Sequence, residues 1–175
     1  NMSFSSPGVG SSVHMSGELF KTLTGSNMTN VPFAGSGAAL PALLGGDVDV
    51  SFENMPTVFS HIQSGDLRAL AVTSEERSEY LPDVPTLKEI GEYNLDQFVT
   101  TAWFGLIAHS SFPDEAFATM QEALQKVMER EEFTSFVEQL GGEKGTVAGD
   151  DFKAFVADEV TRWDGVAAEA GIRQE

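Results

Sequence analysis

Apolar and polar positions along the chain alternate between two periods. The segment "MSFSS" at residues 2–6 reads as a short strand running into a serine- and glycine-rich loop, "SSPGVGSS". Residues 11–24 place Val13, Met15, Leu19, Phe20 and Leu23 on one helical face, with Gly25 as the stop. "NMTNVPF" is a short extended run, and Pro32 keeps its predecessor out of the α region. "AGSGAALPALLGG" predicts a second, glycine-opened helix ending at Gly45 and Gly46, with Pro41 awkward in its interior. "DVDVSFEN" alternates Val48, Val50 and Phe52 with polar residues, a strand pattern. "MPTVFSHIQSG" predicts a helix with Pro56 in its first turn and Gly65 after its last. "LRALAVT" has the continuous apolar character of a buried strand. A loop with two prolines follows, then one short helix over residues 86–90.

The order so far is β-α-β-α-β-α-β, with helices long enough to cross over a sheet. That pattern predicts an α/β fold with a largely parallel sheet flanked by helices. A second unit follows a boundary near residues 94–99. "FVTTAWFGLIA" is a long apolar strand candidate. Residues 113–141 predict one or two helices, with Phe117, Met120, Leu124 and Val127 at helical spacing. A final amphipathic helix carries Phe152, Phe155, Val156, Val160 and Trp163.

Composition narrows the function classes. The 175 residues suffice for a real core, and 41% hydrophobic against 21% charged content is that of a folded, soluble chain. No apolar run approaches the roughly 18 residues of a membrane span. No leader-like segment occurs, so an export signal is expected outside these residues. With no cysteine there is no disulfide and no thiol chemistry. A net charge of −17 repels phosphate backbones and argues against a nucleic-acid partner. Through residue 60 the one base, Lys21, stands against Glu18, Asp47, Asp49 and Glu53. An anion bound in this part would be held mostly by backbone N–H groups and hydroxyls.

Enzymatic chemistry finds little support. His14, His61 and His109 lie far apart, and His14 with Glu18 at i, i+4 has no second pair to complete a metal site. No Gly-x-Ser-x-Gly elbow occurs. "GVGSSV" lacks the third glycine of a dinucleotide fingerprint, and no Walker lysine follows. Binding fares better, because "SSPGVGSS", "FAGSG" and "FENMPT" are all strand-to-helix junctions. In a parallel sheet these share one edge, and each opens a helix N-terminus suited to a carboxylate. Ser11, Ser12 and Ser36 offer additional hydroxyl donors. Plain turns capped by Ser and Gly would explain any one junction equally well.

The run "FSSPGVGSSVHMSGELFKTLTG", the stretch from "NVPFAGSGAAL" through "LRALAVTSEERSEYLPDVPTLKEIG", "TAWFGLIA" and "FKAFVADEVTRWDGVAAEAGI" resemble, in order, the substrate-binding receptors of tripartite tricarboxylate transporters, also called Bug receptors. The resemblance implies a two-lobed periplasmic binding protein of the Venus-flytrap type. Such a receptor closes on a small organic carboxylate (a di- or tricarboxylate, an amino acid or an aromatic acid) and delivers it to a membrane permease, with no cofactor, no metal and no catalysis. Carried over residue by residue, it implies ligand contacts at Ser6, Gly8, Gly10, Ser11 and Ser12, then at Phe33, Gly35 and Ser36, and a specificity residue at Glu53 beside Asn54. Where family members usually carry a tyrosine and a base, this chain has Phe33 and Ala34. An ionised Glu53 would repel a second carboxylate and pair with an ammonium group, which favours an amino-acid-like or otherwise mixed-charge carboxylate. The match corresponds to the C-terminal portion of a family member. Residues 1–97 would then be the second lobe without its first elements, and residues 98–175 the C-terminal part of the first lobe. Weak ligand binding and self-association are expected of such a chain. The alternatives are a sensory binding module of a signalling system, or an α/β enzyme holding an anionic substrate on the Ser/Gly loop.

Overall fold

In the computed structural model, which describes residues 2–171, strand β1 (Met2–Ser6) is the middle of a three-stranded parallel sheet. It pairs with β2 (Met28–Pro32) from Met2 opposite Met28 to Ser6 opposite Pro32. On its other side Phe4 and Ser5 pair with Val50 and Ser51 of β3 (Val50–Ser51). A central strand is covered on both faces, and Phe4, Ser5 and Ser6 are accordingly buried. Crossover helices α1 (Ser12–Thr24) and α2 (Ser36–Gly45) link the strands, and α3 (Met55–Ser64) follows β3. Each ends where the sequence predicts, because Gly25, Gly46 and Gly65 adopt the left-handed conformation that closes a helix. Pro41 stays inside α2.

The core is aromatic. Phe4 meets Phe52 edge-on at 6.0 Å, and Phe20, Phe52 and Phe98 contact one another at 5.4–6.3 Å. Leu87, Leu95 and Phe98 are buried against Leu19, Phe20, Leu23, Phe52 and Ala71. Gly17 lets β1 and α1 approach closely, since a Cβ there would come within 2.3 Å of the Phe4 ring.

Beyond α3 the chain departs from expectation. "LRALAVT" is not a strand: Val72 alone forms a bridge, to Thr86, and Leu70 is 64% exposed. "FVTTAWFGLIA" is not a strand either. Beyond local turns at Phe98 and Val99, its backbone bond to another segment is the Thr100 N–H donating to the Thr73 carbonyl at 2.8 Å, and Phe104 and Ile107 are 79% and 85% exposed. Both runs are apolar enough for a buried sheet, but no neighbouring strand among the described residues offers them a ladder. The "DVDVSFEN" strand shrinks to Val50–Ser51, and the helix predicted over 86–90 is a single 3₁₀ turn, Lys88–Ile90. A second such turn, Leu95–Gln97, follows positive φ angles at Tyr93 and Asn94.

The residues from 113 onward form α4 (Asp114–Met128) and α5 (Glu131–Gln139), so the predicted segment is two helices. Phe117, Met120 and Val127 remain exposed. The last helix, α6 (Gly149–Ala170), packs on α1. Trp103 lies edge-on against Phe152 and Phe155, its indole N–H donates to Glu159 at 3.2 Å, and the Arg162 guanidinium donates to the Val99 carbonyl. Val160, predicted on the packed face, is exposed. No helix among the described residues is long and apolar enough to cross a membrane.

Candidate functional site

Parallel pairing of β1, β2 and β3 brings the loops before α1, α2 and α3 to one edge of the sheet. Hydrogen bonds tie these three loops together. The Phe33 N–H donates to the Ser6 carbonyl at 2.8 Å, and the Gly35 N–H to the Pro7 carbonyl at 3.1 Å, so the first and second loops are zipped by backbone. The Ser36 hydroxyl donates to Glu53 Oε1 at 3.2 Å and joins the second loop to the third. The same oxygen accepts the Asn54 N–H at 3.1 Å, which fixes the Glu53 carboxylate at the mouth of α3.

Each predicted residue has a definite place on this edge. Ser6 closes β1, is fully buried, and its hydroxyl has no hydrogen-bond partner among the described residues. Leaving such a group unpaired costs about 1–3 kcal/mol. Gly8 and Gly10 have φ of 143° and 80°, which favour glycine in the turn. Ser11 is the N-cap of α1: its hydroxyl donates to the Gly8 carbonyl at 2.7 Å and accepts from the His14 N–H at 3.2 Å. Ser11 is therefore engaged in shaping the loop. Ser12 is exposed at the first position of α1. Gly35 caps α2 with φ 93°, and Asn54 caps α3 without a side-chain bond.

The electrostatics of this edge differ from the rest of the molecule. The first turns of α1, α2 and α3 contain no acidic residue. Those of α4, α5 and α6 carry Asp114 and Glu115, Glu131 and Glu132, and Asp150 and Asp151. In a chain with 27 acids, three helix N-termini without an acid in their first turns stand together at one edge, with the Glu53 carboxylate held between those of α2 and α3. An open groove of about 2400 Å3 begins beside it, at Ser12, Glu53 and Asn54, and runs to Trp103, Phe104 and Phe152. Its volume exceeds the roughly 300–1000 Å3 of a small-molecule site. The groove is thus a broad uncovered face with the loop edge at one end.

Reading residues in isolation missed His14. It is 4% exposed, and its Nδ1 accepts the Gly10 N–H at 3.1 Å. Its Nε2 lies 3.8 Å from Glu18, which is paired with Lys21 at 2.8 Å. Burial pushes the imidazole below its usual value of 6.5, with Glu18 opposing and Lys21 reinforcing the shift. The signal was available in the sequence, as a histidine four residues after a loop glycine. Among the described residues no group of three or more His, Cys, Asp or Glu side chains is placed to hold a metal ion.

Comparison with known proteins gives this geometry a context. Residues 1–172 match the family model described as the tripartite tricarboxylate transporter family receptor. Protein BugT of Bordetella pertussis is 34% identical over 172 residues, covering 98% of this chain and 52% of BugT. Among solved structures, R. palustris Rpa4515 with adipate has a TM-score of 0.89 and 31% identity, over 98% of this chain and 56% of that one. MatC from Rhodopseudomonas palustris with bound malate has a TM-score of 0.85 and 28% identity, over 95% and 56%. The periplasmic binding protein BugD has a TM-score of 0.87 and 28% identity, over 99% and 58%. The chain spans about half the length of the curated relatives it matches. It belongs to the tripartite tricarboxylate transporter receptor family, the Bug receptors, and has the α/β fold of their periplasmic binding proteins.

Proposed function

We propose that this chain is the carboxylate-binding part of an extracytoplasmic solute receptor that delivers its ligand to a tripartite permease. One observation carries the reading: three hydrogen-bonded loops lie at one edge of a parallel sheet, and the helices they open have no acid in their first turns. A carboxylate at this edge is met by backbone N–H groups of α1 and α2 and by the Ser12 hydroxyl. That arrangement suits a region whose one base before residue 61 is Lys21. Similar proteins bound to adipate and malate make a dicarboxylate skeleton the first class to test. Glu53, held by Ser36 and Asn54, adds a fixed acceptor that favours a ligand with an ammonium group near its carboxylate. Residues 1–97 form the lobe that carries this edge, and residues 98–175 belong to the opposing lobe. Closure occurs by hinge motion near residues 94–99, where Tyr93 and Asn94 turn the chain sharply.

Calorimetric titration with malate, adipate and aspartate tests the reading. Saturable one-to-one binding of at least one of them is expected, and Gly10→Asp abolishes it. A Cβ at Gly10 meets nothing within 4 Å, so the variant keeps its packing while straining φ 80° and adding negative charge. Equal affinity in the variant, or no binding of any of the three, contradicts the proposal.

A further inference from the structure

The β1–α1 loop is held by one buried side chain that lies outside it. Gly10 is exposed at the turn, and its N–H is directed onto His14 Nδ1 at 3.1 Å. The backbone N–H of His14 donates to the Ser11 hydroxyl, which in turn donates to the Gly8 carbonyl. The His14 side chain therefore fixes the loop at Gly10, and the Ser11 cap fixes it at Gly8. Its ring lies nearly parallel to Phe4 of the central strand, with centroids 6.5 Å apart and planes at 16°, so it has a rigid seat. Accepting at Nδ1 puts the neutral ring's proton on Nε2, on the side of Glu18.

We infer that His14 is a positioning residue for the ligand loop: its unprotonated Nδ1 fixes the Gly10 N–H, and a proton on that nitrogen releases the loop and lowers carboxylate affinity. A protonated Nδ1 is a donor, and two N–H groups facing each other at 3.1 Å repel. The inference rests on the carboxylate reading of this edge only for its effect on affinity; the coupling of Gly10 to His14 stands by itself.

The charges acting on the ring are Glu18 and Lys21, on its own helix. β1, β2 and β3 contribute no titratable side chain. The 3₁₀ turn Leu95–Gln97 carries Asp96, and the middle of α6, packed on α1, carries Asp158, Glu159, Arg162 and Asp164. Of these, Glu159 binds Trp103 and Trp163, and Arg162 binds the Val99 carbonyl. Burial holds the imidazole below 6.5, so the neutral form prevails at neutral pH. The sign follows: stabilisation by the neutral ring is complete above about 6.5 and is lost as pH falls from there through the lower folded-state value.

Nuclear magnetic resonance of the ligand-free protein reads the coupling directly. The Gly10 amide and the His14 ring are expected to titrate with one midpoint, below 6.5. His14→Asn, whose side-chain oxygen can accept in place of Nδ1, retains the Gly10 amide signal of the wild type at neutral pH and abolishes its titration. His14→Phe keeps the ring seat but has no acceptor, and its Gly10 amide exchanges faster than in His14→Asn. A Gly10 amide that ignores the His14 titration, or exchanges alike in the two variants, overturns the proposal. Affinity for malate and adipate then gives the functional arm. As pH falls below 6.5, wild-type affinity falls further than that of His14→Asn, which controls for protonation of the probe. Equal falls in the two proteins overturn the link to affinity. No binding at any pH with the Gly10 titration intact counts against the carboxylate reading and leaves the positioning role standing.

Discussion

At the residue scale, short contacts between small side chains and rings decide the local geometry. Gly17 is the sharpest case. It sits in the middle of α1, where glycine weakens a helix by about 1 kcal/mol relative to alanine, yet the Phe4 ring fills the space a methyl group would need. Gly17→Ala is therefore expected to destabilise by about 1–3 kcal/mol despite its better helix propensity. Urea unfolding checks this, and a more stable variant would show that the contact yields freely. His14 makes a similar point. In the sequence it shares a helix face with Glu18 at i, i+4, too little for a metal site, whereas the fold turns its other nitrogen to the loop. A sequence pattern shows which residues share a helix face, but not which backbone N–H a buried ring will reach.

At the scale of elements, the three N-terminal helices are legible because each has its own local signals. Gly25, Gly46 and Gly65 mark helix ends, and Ser11 is a strong N-cap residue. The apolar runs at residues 67–73 and 98–108 are not, because a strand is defined by its neighbour. Continuous apolar character states that a segment wants burial and leaves its partner unspecified. The loop edge itself follows from topology once the pairing is parallel. Its electrostatic part can be tested in a single helix by Ser12→Asp, which puts a carboxylate into the first turn of α1. Dipole matching is expected to raise stability by about 0.3–1 kcal/mol. The same change lowers affinity for malate or adipate at least tenfold. A variant that is more stable and binds equally well would show that the α1 N-terminus does not face the ligand.

At the scale of the whole molecule, the chain divides unevenly between a covered and an uncovered part. The sheet, α1 and the Phe4–Phe20–Phe52–Phe98 cluster form a packed core. Phe104, Leu106, Ile107, Phe117, Met120 and Phe136 are exposed. An apolar surface of this kind drives association. Sedimentation velocity of these 175 residues is expected to show species that grow with concentration, and a monodisperse monomer at high concentration would contradict that. The acidic balance of −17 slows but does not prevent such contacts, because screening confines surface repulsion to about 8–10 Å at physiological salt.

The central claim is that the loop edge holds a carboxylate, and amide shift mapping with malate and adipate tests it most directly. The account predicts saturable changes centred on residues 6–12, 33–36 and 53–54, absent in Gly10→Asp. Saturable changes centred on Trp103, Phe104 and Phe152 in the groove, with the loop amides unmoved, would contradict it.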